Sequence, residues 1–374
     1  MYKTVVFSTM ALLLVSCSHP SEQIVQAASP EAALAQAVVR AADKARAGAI
    51  LDVQGCELDF VAAEGVANRK TKLAMPTGEQ LRIASIGKLY TAAVIHQLVQ
   101  LGLLDLGAPA TSYLRDGQLD GVPNKDASLR KMLNHTSGVP DYYDARSYLT
   151  WDWKEPLTTD RVLTVARRRN AENEIGAEYS YSNTNYHILA LVAEAVSGKP
   201  FSDLIQEQLL VPLQLTDTRY NTVHPGGTIH GFGTELRSNA DTWIYAENTG
   251  PDSGITATTA DLRTFLRALF LTDGVLSPIG AQMIQDPVKA VGDRQLAGPG
   301  AEIYIGREGG RLIGHTGDTY GYLTFAMAVP EYNATIIGHI NANKPDVFLQ
   351  LLRSTVTALK AKCISLDKAL SNEN

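Results

Sequence analysis

Between residues 85 and 101, apolar positions 86, 89, 94, 95, 98 and 101 recur at mostly helical spacing, and Gly102 ends the run, which predicts a helix. The same reading predicts an Ala-rich amphipathic helix over 30–47 and a second well-marked helix over 183–196. The buried side of that second helix carries Ile188, Leu189, Leu191, Val192 and Ala195, with Gly198 after its end. A third helix is predicted over 259–271, a short one over 128–133 and a terminal one from 345 to about 360. Short apolar, β-branched runs predict strands at 49–53 and 58–63, joined around Gly55-Cys56 as a hairpin, and again at 302–305, 311–315, 322–329 and 335–341. From 105 to about 160 the pattern is broken by Gly, Pro, Asn and Trp. Strands at both ends with mainly helices between predict an α/β (α+β) fold. One antiparallel sheet is built from both chain ends and flanked by helices, with a mainly helical insertion at roughly 105–270 and the site in the crevice between them.

The first residues have a different texture. Lys3 precedes an apolar run over 5–15, well short of the about twenty residues a spanning helix needs, which predicts an export signal. It ends in Leu14-Val15-Ser16-Cys17, which resembles the lipobox of bacterial lipoproteins, where the cysteine is acylated and becomes the mature N-terminus. An ordinary signal with an incidental cysteine is the other reading. On the lipoprotein reading, 1–17 is the signal peptide, 18–31 a tether, 32–365 the folded domain and 366–374 a polar tail. The protein would then sit on the periplasmic side of a membrane or at the cell surface, touching the membrane through lipid at Cys17 only. Cys56 and Cys363 remain, an even pair in an oxidising compartment: either two thiols, or a disulfide tying the early hairpin to the last helix.

Composition narrows the function class. With 45% hydrophobic and 19% charged residues in 374, and a net charge of -6, the chain is an ordinary globular protein whose acidity argues against nucleic acid or an anionic membrane surface as partner. The one basic run, Arg167-Arg168-Arg169, reads as the close of a helix starting at Thr159, where cations complement the dipole. No HExxH and no Cys/His cluster at ligand spacing is present, so neither a metal nor a cofactor is expected.

Three motifs carry chemistry. Ser85-Ile86-Gly87-Lys88 opens the predicted 85–101 helix, where the dipole stabilises a developing alkoxide, and Lys88 lies one turn on, within reach of the Ser85 hydroxyl. The pattern SxxK recurs at Ser128–Lys131 and Ser365–Lys368, but neither copy opens a long helix. Tyr181-Ser182-Asn183 precedes the second helix. In an extended segment, Tyr181 and Asn183 point the same way, the phenol made more acidic by the Lys88 cation and the amide able to bond both Lys88 and a substrate amide. His315-Thr316-Gly317 ends a strand, where Gly317 admits a substrate backbone, Thr316 offers a hydroxyl and the Asp318 N–H can face that of Ser85 as second oxyanion donor.

Together the three motifs resemble those of the serine β-lactamase and DD-peptidase superfamily, in its branch of class C β-lactamases and D-alanyl-D-alanine carboxypeptidases. The likeness extends to Leu103-Leu104-Asp105-Leu106, to Leu133-Asn134-His135-Thr136-Ser137-Gly138, to Thr184-Asn185-Tyr186 and to Gly321-Tyr322. It implies Ser85 as acylated nucleophile, Lys88 and Tyr181 as the proton-transfer pair, and Asn183 with the His315 strand as substrate clamp. His135 and Ser137 read as structural. The implied substrate is a small peptide, ester or β-lactam. The resemblance favours a DD-carboxypeptidase acting on cell-wall peptide, with an esterase, a weak β-lactamase or a non-catalytic penicillin-binding lipoprotein as alternatives. Two positions depart from the pattern of true class C enzymes. His315 stands where they have lysine, so proton transfer should depend on its protonation. Asp318 stands where a small hydroxyl residue is usual and would repel a substrate carboxylate unless Arg307 or Arg311 compensates.

Overall fold

The computed structural model describes residues 29–143, 155–221, 228–233, 241–242, 250–306 and 310–372. Cys17, almost all of the 18–31 tether and Arg307 lie outside them. Eight antiparallel strands form the main sheet: β1 (Ala49–Gly55), β2 (Leu58–Glu64), β3 (Val288–Val291), β4 (Gln295–Ala297), β5 (Glu302–Ile305), β6 (Arg311–Thr319), β7 (Tyr322–Val329) and β8 (Ala334–Ile340). Their spatial order is β2-β1-β8-β7-β6-β5-β4-β3, so the two ends of the chain meet where Ala49 pairs with Ile340. Every residue of β7 and β8 is buried, as expected of central strands covered on both faces, whereas β2, at the sheet edge, buries only Leu58 and exposes Asp59, Val61 and Glu64.

Alternation along the strands sorts the core into two layers. Leu51, Phe325, Met327 and Ile336 pack under α1 (Pro30–Ala45) and the terminal helix, while Ile50, Ala326, Ile313 and Ile337 face the helical region. α1 starts where its sequence asks it to. Ser29 accepts from the Ala32 N–H at 3.2 Å, Pro30 opens the first turn, and Leu34, Ala37, Val38, Ala41, Ala42 and Ala45 form one buried stripe. In the helical region α2 (Gly87–Gln100) runs through the centre. Everything from Lys88 to His96 is buried, so the helix is a core element rather than an amphipathic one, and the predicted stripe residue Leu101 lies outside it, 68% exposed. Around α2 lie α3 (Thr184–Ser197) and α4 (Thr259–Phe270).

The terminal helix α5 (Pro345–Asn372) is longer than its pattern predicted, and the Cys56–Cys363 disulfide anchors it to the β1–β2 turn. That resolves the two readings of this pair. The basic run closes the helix Thr159–Ala166 as predicted, with Arg167 as its C-cap and its N–H on the Leu163 carbonyl. Its side chains also tie other segments: Arg167 donates to the Gln118 and Asp120 carbonyls at 3.0 Å each, and Arg169 donates to those of Asp141 and Tyr142. Strands β3 and β4 escaped the sequence pattern because these short runs, which hold Lys289 and Gln295, lack the β-branched and aromatic cluster that marks 302–305. Among the described residues no helix is long and apolar enough to cross a membrane.

A small sheet matters more to the site than its size suggests. Leu81 pairs with Ala257 and Arg82 with Thr256, which lays residues 83–85 alongside 250–254 at the entrance to α2.

Candidate active site

Ser85 sits in a 3-10 turn, Ala84–Ile86, that feeds α2 at Gly87, two residues before the α-helix proper. Ala84 holds φ at +49°, a left-handed conformation that costs a non-glycine residue about 1 kcal/mol or more. The strain has a visible partner: β6 crosses directly over this turn. A Cβ at Gly317 would stand 2.0 Å from the Ile83 carbonyl oxygen. Gly317 is therefore required first of all to let the strand approach the nucleophile's own backbone.

Lys88 is fully buried, and its Nζ has three partners: Ser85 Oγ at 3.1 Å, Asn183 Oδ1 at 2.7 Å and the Asp252 carbonyl at 3.0 Å. Burial pushes its pKa down to about 8, against the opposing pull of Asp252, Asp141 and Glu302. The identity of the partners then decides the direction of proton flow. Asn183 turns its amide nitrogen to both carboxylate oxygens of Asp141, at 3.2 and 3.1 Å, so its oxygen faces Lys88. A backbone carbonyl can likewise only accept. In the neutral amine both hydrogens are thus taken by Asn183 and Asp252, and the lone pair is left for the Ser85 hydroxyl.

Tyr181 reaches the same serine, its hydroxyl hydrogen-bonded to Ser85 and its ring 5.1 Å from Lys88 Nζ. The expected acidification does not occur. Burial, the largest influence, raises the phenol well above its ordinary pKa, so Tyr181 rests as a proton donor. His135 stacks on the Tyr181 ring at 4.2 Å and accepts the Ser182 N–H through Nδ1 at 3.1 Å. Ser137 donates to Asn185 Oδ1 at 2.8 Å. The loop bearing both residues thus carries the Tyr181–Asn183 segment.

His315 is buried, with its ring 6.4 Å from that of Tyr181. Nδ1 stands 2.5 Å from the Thr316 carbonyl, which only accepts, so this nitrogen carries the proton. Burial pushes the ring below its ordinary pKa although Glu302 opposes it. His315 is therefore neutral near pH 7 and does not replace a lysine cation, contrary to the expectation that its protonation assists transfer.

Thr316 donates its N–H to Glu302 Oε2 at 3.3 Å, and its hydroxyl bonds Tyr304. Because N–H groups alternate along a strand, the Asp318 N–H points the same way as that of Thr316, beyond the last β5 pairing at Glu302↔Gly314. Among the described residues, 315–319 thus run past the last strand pairing with β5, and Asp318 is exposed there. Arg311 cannot balance it. It bonds Glu331 at 3.1 Å from a position seven residues back, roughly 23 Å along the strand.

Three site residues escaped sequence reasoning: Asp141, Asp252 and Glu302. Asp141 follows the His135–Ser137 loop and Asp252 lies in Gly250-Pro251-Asp252-Ser253-Gly254, both of which read as turns. Glu302, as a charge opening an otherwise apolar strand, was the one visible signal.

A profile of the family described as Beta-lactamase matches residues 34–358. The chain belongs to the Beta-lactamase family. It is a serine hydrolase of the β-lactamase and DD-peptidase superfamily. It is 25% identical over 323 residues to penicillin-binding protein 4* of Bacillus subtilis, covering 82% of this chain and 70% of that one. It is also 25% identical over 278 residues to the D-alanyl-D-alanine-carboxypeptidase/endopeptidase AmpH of Escherichia coli, covering 68% of each. Further relatives are matched over little more than half of their own length, 56% and 53% in two cases. Among solved structures, the D-amino acid amidase of Ochrobactrum anthropi SV3 superposes with a TM-score of 0.77 at 23% identity, over 89% of this chain and 99% of that one, which shows a shared fold.

Proposed function

We propose that this family member is a DD-carboxypeptidase-like peptidase that cleaves cell-wall peptides through an acyl-enzyme on Ser85. One observation carries the reading: the Ser85 hydroxyl touches both Lys88 Nζ and the Tyr181 hydroxyl in front of the strand segment 315–319. Neutral Lys88 takes the Ser85 proton as Oγ attacks the scissile carbonyl. The oxyanion receives the N–H groups of Ser85 and Asp318. The C–N bond breaks as Tyr181 passes its proton to the leaving nitrogen and recovers one from the Lys88 ammonium. Water then hydrolyses the ester by the reverse path. The names of the Bacillus subtilis and Escherichia coli relatives support a peptide or β-lactam substrate.

A second reading, an amidase or esterase for substrates without a free carboxylate, is favoured by the neutral His315, which offers no cation to a substrate carboxylate, with the Glu302 side chain 3.8 Å from its Nδ1. The protein would act as an exported lipoprotein held by acylated Cys17, a placement that the Cys56–Cys363 disulfide supports, since such bonds persist in oxidising compartments. A fluorescent penicillin or an activated fluorophosphonate should label Ser85, and Ser85→Ala should abolish labelling; normal labelling of that variant overturns the assignment. D-Alanine release from a cell-wall pentapeptide, measured beside turnover of a short-chain nitrophenyl ester and of nitrocefin, separates the two readings. Partition of Cys17→Ala into the soluble fraction tests the anchor.

A further inference from the structure

We infer that His187 and Asp252 form a positioning pair for Lys88, holding the Asp252 carbonyl oxygen against its Nζ. This rests on reading Ser85 as nucleophile and Lys88 as its base. Asp252 is locked on both sides. Oδ1 accepts from His187 Nε2 at 2.9 Å, Oδ2 accepts from the Tyr142 hydroxyl at 2.9 Å, and its carbonyl accepts from Lys88 at 3.0 Å. Both members are buried, His187 at 0% and Asp252 at 2% exposure. The residues just before Asp252 are pinned as well, the Gly250 N–H to Asn221 Oδ1 at 2.6 Å and the Pro251 carbonyl to the Thr91 hydroxyl at 2.5 Å. On its other side the His187 ring meets Thr159 Oγ1 at 3.1 Å through Nδ1. Because Nε2 faces a carboxylate, it carries a proton.

Helix geometry makes the pair part of the same device as Asn183. His187 lies four positions after Asn183, the N-cap of α3, so the two share one face about one turn apart. The first supplies the amide oxygen for Lys88 and the second holds the carbonyl for it. One rigid helix thus governs two of the three contacts that point the lysine lone pair at Ser85. Burial works against a charged Asp252, yet His187, Lys88 and Tyr142 hold its pKa below the ordinary value, so it stays a carboxylate. Its charge also favours the Lys88 ammonium. Asp141, Glu302, His135, His315, Tyr181 and Tyr186 also face Lys88 and are left in place by changes at 187 and 252.

The test is the pH profile of Ser85 acylation by a fluorescent penicillin in the full-length protein. Asp252→Asn keeps the shape and removes the charge, so the acidic limb should move about one unit lower. His187→Ala leaves the Asp252 carboxylate without its imidazole partner; the limb should move up and the limiting rate should fall about tenfold or more, with the penicillin concentration for half-saturation unchanged. His187→Gln, which can still donate, should recover much of that loss. Wild-type limbs and rates in folded Asp252→Asn and His187→Ala overturn the inference. Should His187→Ala not fold, the limb of Asp252→Asn decides alone. If Ser85→Ala abolishes labelling while these profiles stay wild-type, only the pairing fails; if Ser85→Ala still labels, the parent reading fails.

Discussion

Asp141 fixes which end of the Asn183 amide faces Lys88, accepting from the amide nitrogen through both carboxylate oxygens and from the Asn183 backbone N–H at 3.0 Å. Were the amide reversed, its NH2 would confront the lysine and the lone pair would no longer be free for Ser85. A carboxylate two contacts away from the substrate thus sets the direction of the first proton transfer. Its own burial pushes its pKa up to about 7, close below that of Lys88 at about 8.

Two groups must therefore be deprotonated for acylation, and they titrate about one unit apart. The acylation rate of Ser85 should rise about tenfold per pH unit between pH 7 and 8, and more steeply, toward a hundredfold per unit, below pH 7, levelling off above 8. Stopped-flow acylation by an activated penicillin across pH 5.5–9 measures both slopes. A flat profile would remove Lys88 as the base.

Asp141→Asn should reduce the limiting acylation rate about tenfold, because an amide partner no longer dictates the orientation of Asn183, and should leave a single tenfold slope. Stability should respond in the opposite sense. A carboxyl whose folded pKa lies above its unfolded value binds its proton more tightly in the native state, so its contribution is fully present below about pH 4 and is lost as pH rises to about 7. The variant should gain thermal stability over the wild type at pH 8 and not at pH 4. Equal melting differences at both values would show that Asp141 is not strained by burial.

Elements marked by helical periodicity or by a run of β-branched and aromatic residues were legible, and so was a site made of local motifs. The strands 302–305 and 322–329 and the three long helices follow directly from their patterns, and Ser85, Lys88, Tyr181 and Asn183 converge because each lies at the start of an element that packs on the others. What stayed hidden depends on non-local pairing. Asp252 reaches Lys88 only because Leu81–Arg82 pairs with 256–257, and Asp141 reaches Asn183 only because Arg169 and the Asn183 N–H fix its loop. The pKa expectations for Tyr181 and His315 failed for one reason. Sequence shows a neighbouring charge but not burial, and here burial is the larger effect.

Gly317→Ala should be damaging beyond its size. The added methyl would meet the Ile83 carbonyl at 2.0 Å and Ala84 Cβ at 3.4 Å, and neither is the end of a flexible side chain. Strand β6 must then lift from the nucleophile turn, at a cost of about 1–3 kcal/mol. Thermal melting and penicillin labelling should both decline, labelling more than the stability loss alone explains. Wild-type labelling in a folded Gly317→Ala protein would dismiss the close approach as a catalytic requirement.

Cys56 and Cys363 close a loop across 307 positions of sequence. Restricting so long a segment of unfolded chain should stabilise the fold by about 2–4 kcal/mol. The double change Cys56→Ala with Cys363→Ala, or reduction, should lower the denaturant midpoint while the acylation rate at 25 °C stays within twofold, since the bond joins the β1–β2 turn to α5 on the side of the sheet away from Ser85. A parallel loss of acylation would mean that α5 supports the site.

Asp318 bears on substrate choice. Its carboxylate side chain is exposed at the strand segment that follows His315-Thr316-Gly317, and Arg311 is tied to Glu331 far back along the strand. A substrate ending in a free carboxylate must approach that charge, whereas an ester or amide without one need not. The penalty between two like charges separated by several ångströms at a wet surface is about 1 kcal/mol, or roughly a fivefold change in kcat/KM. Asp318→Thr should therefore raise kcat/KM for a peptide with a free C-terminal carboxylate by about that factor, and more at low than at high ionic strength, while turnover of a neutral nitrophenyl ester should stay level. Equal gains on both substrates would point to a local backbone effect, and no gain on either would mean that the Asp318 carboxylate takes no part in selecting the substrate.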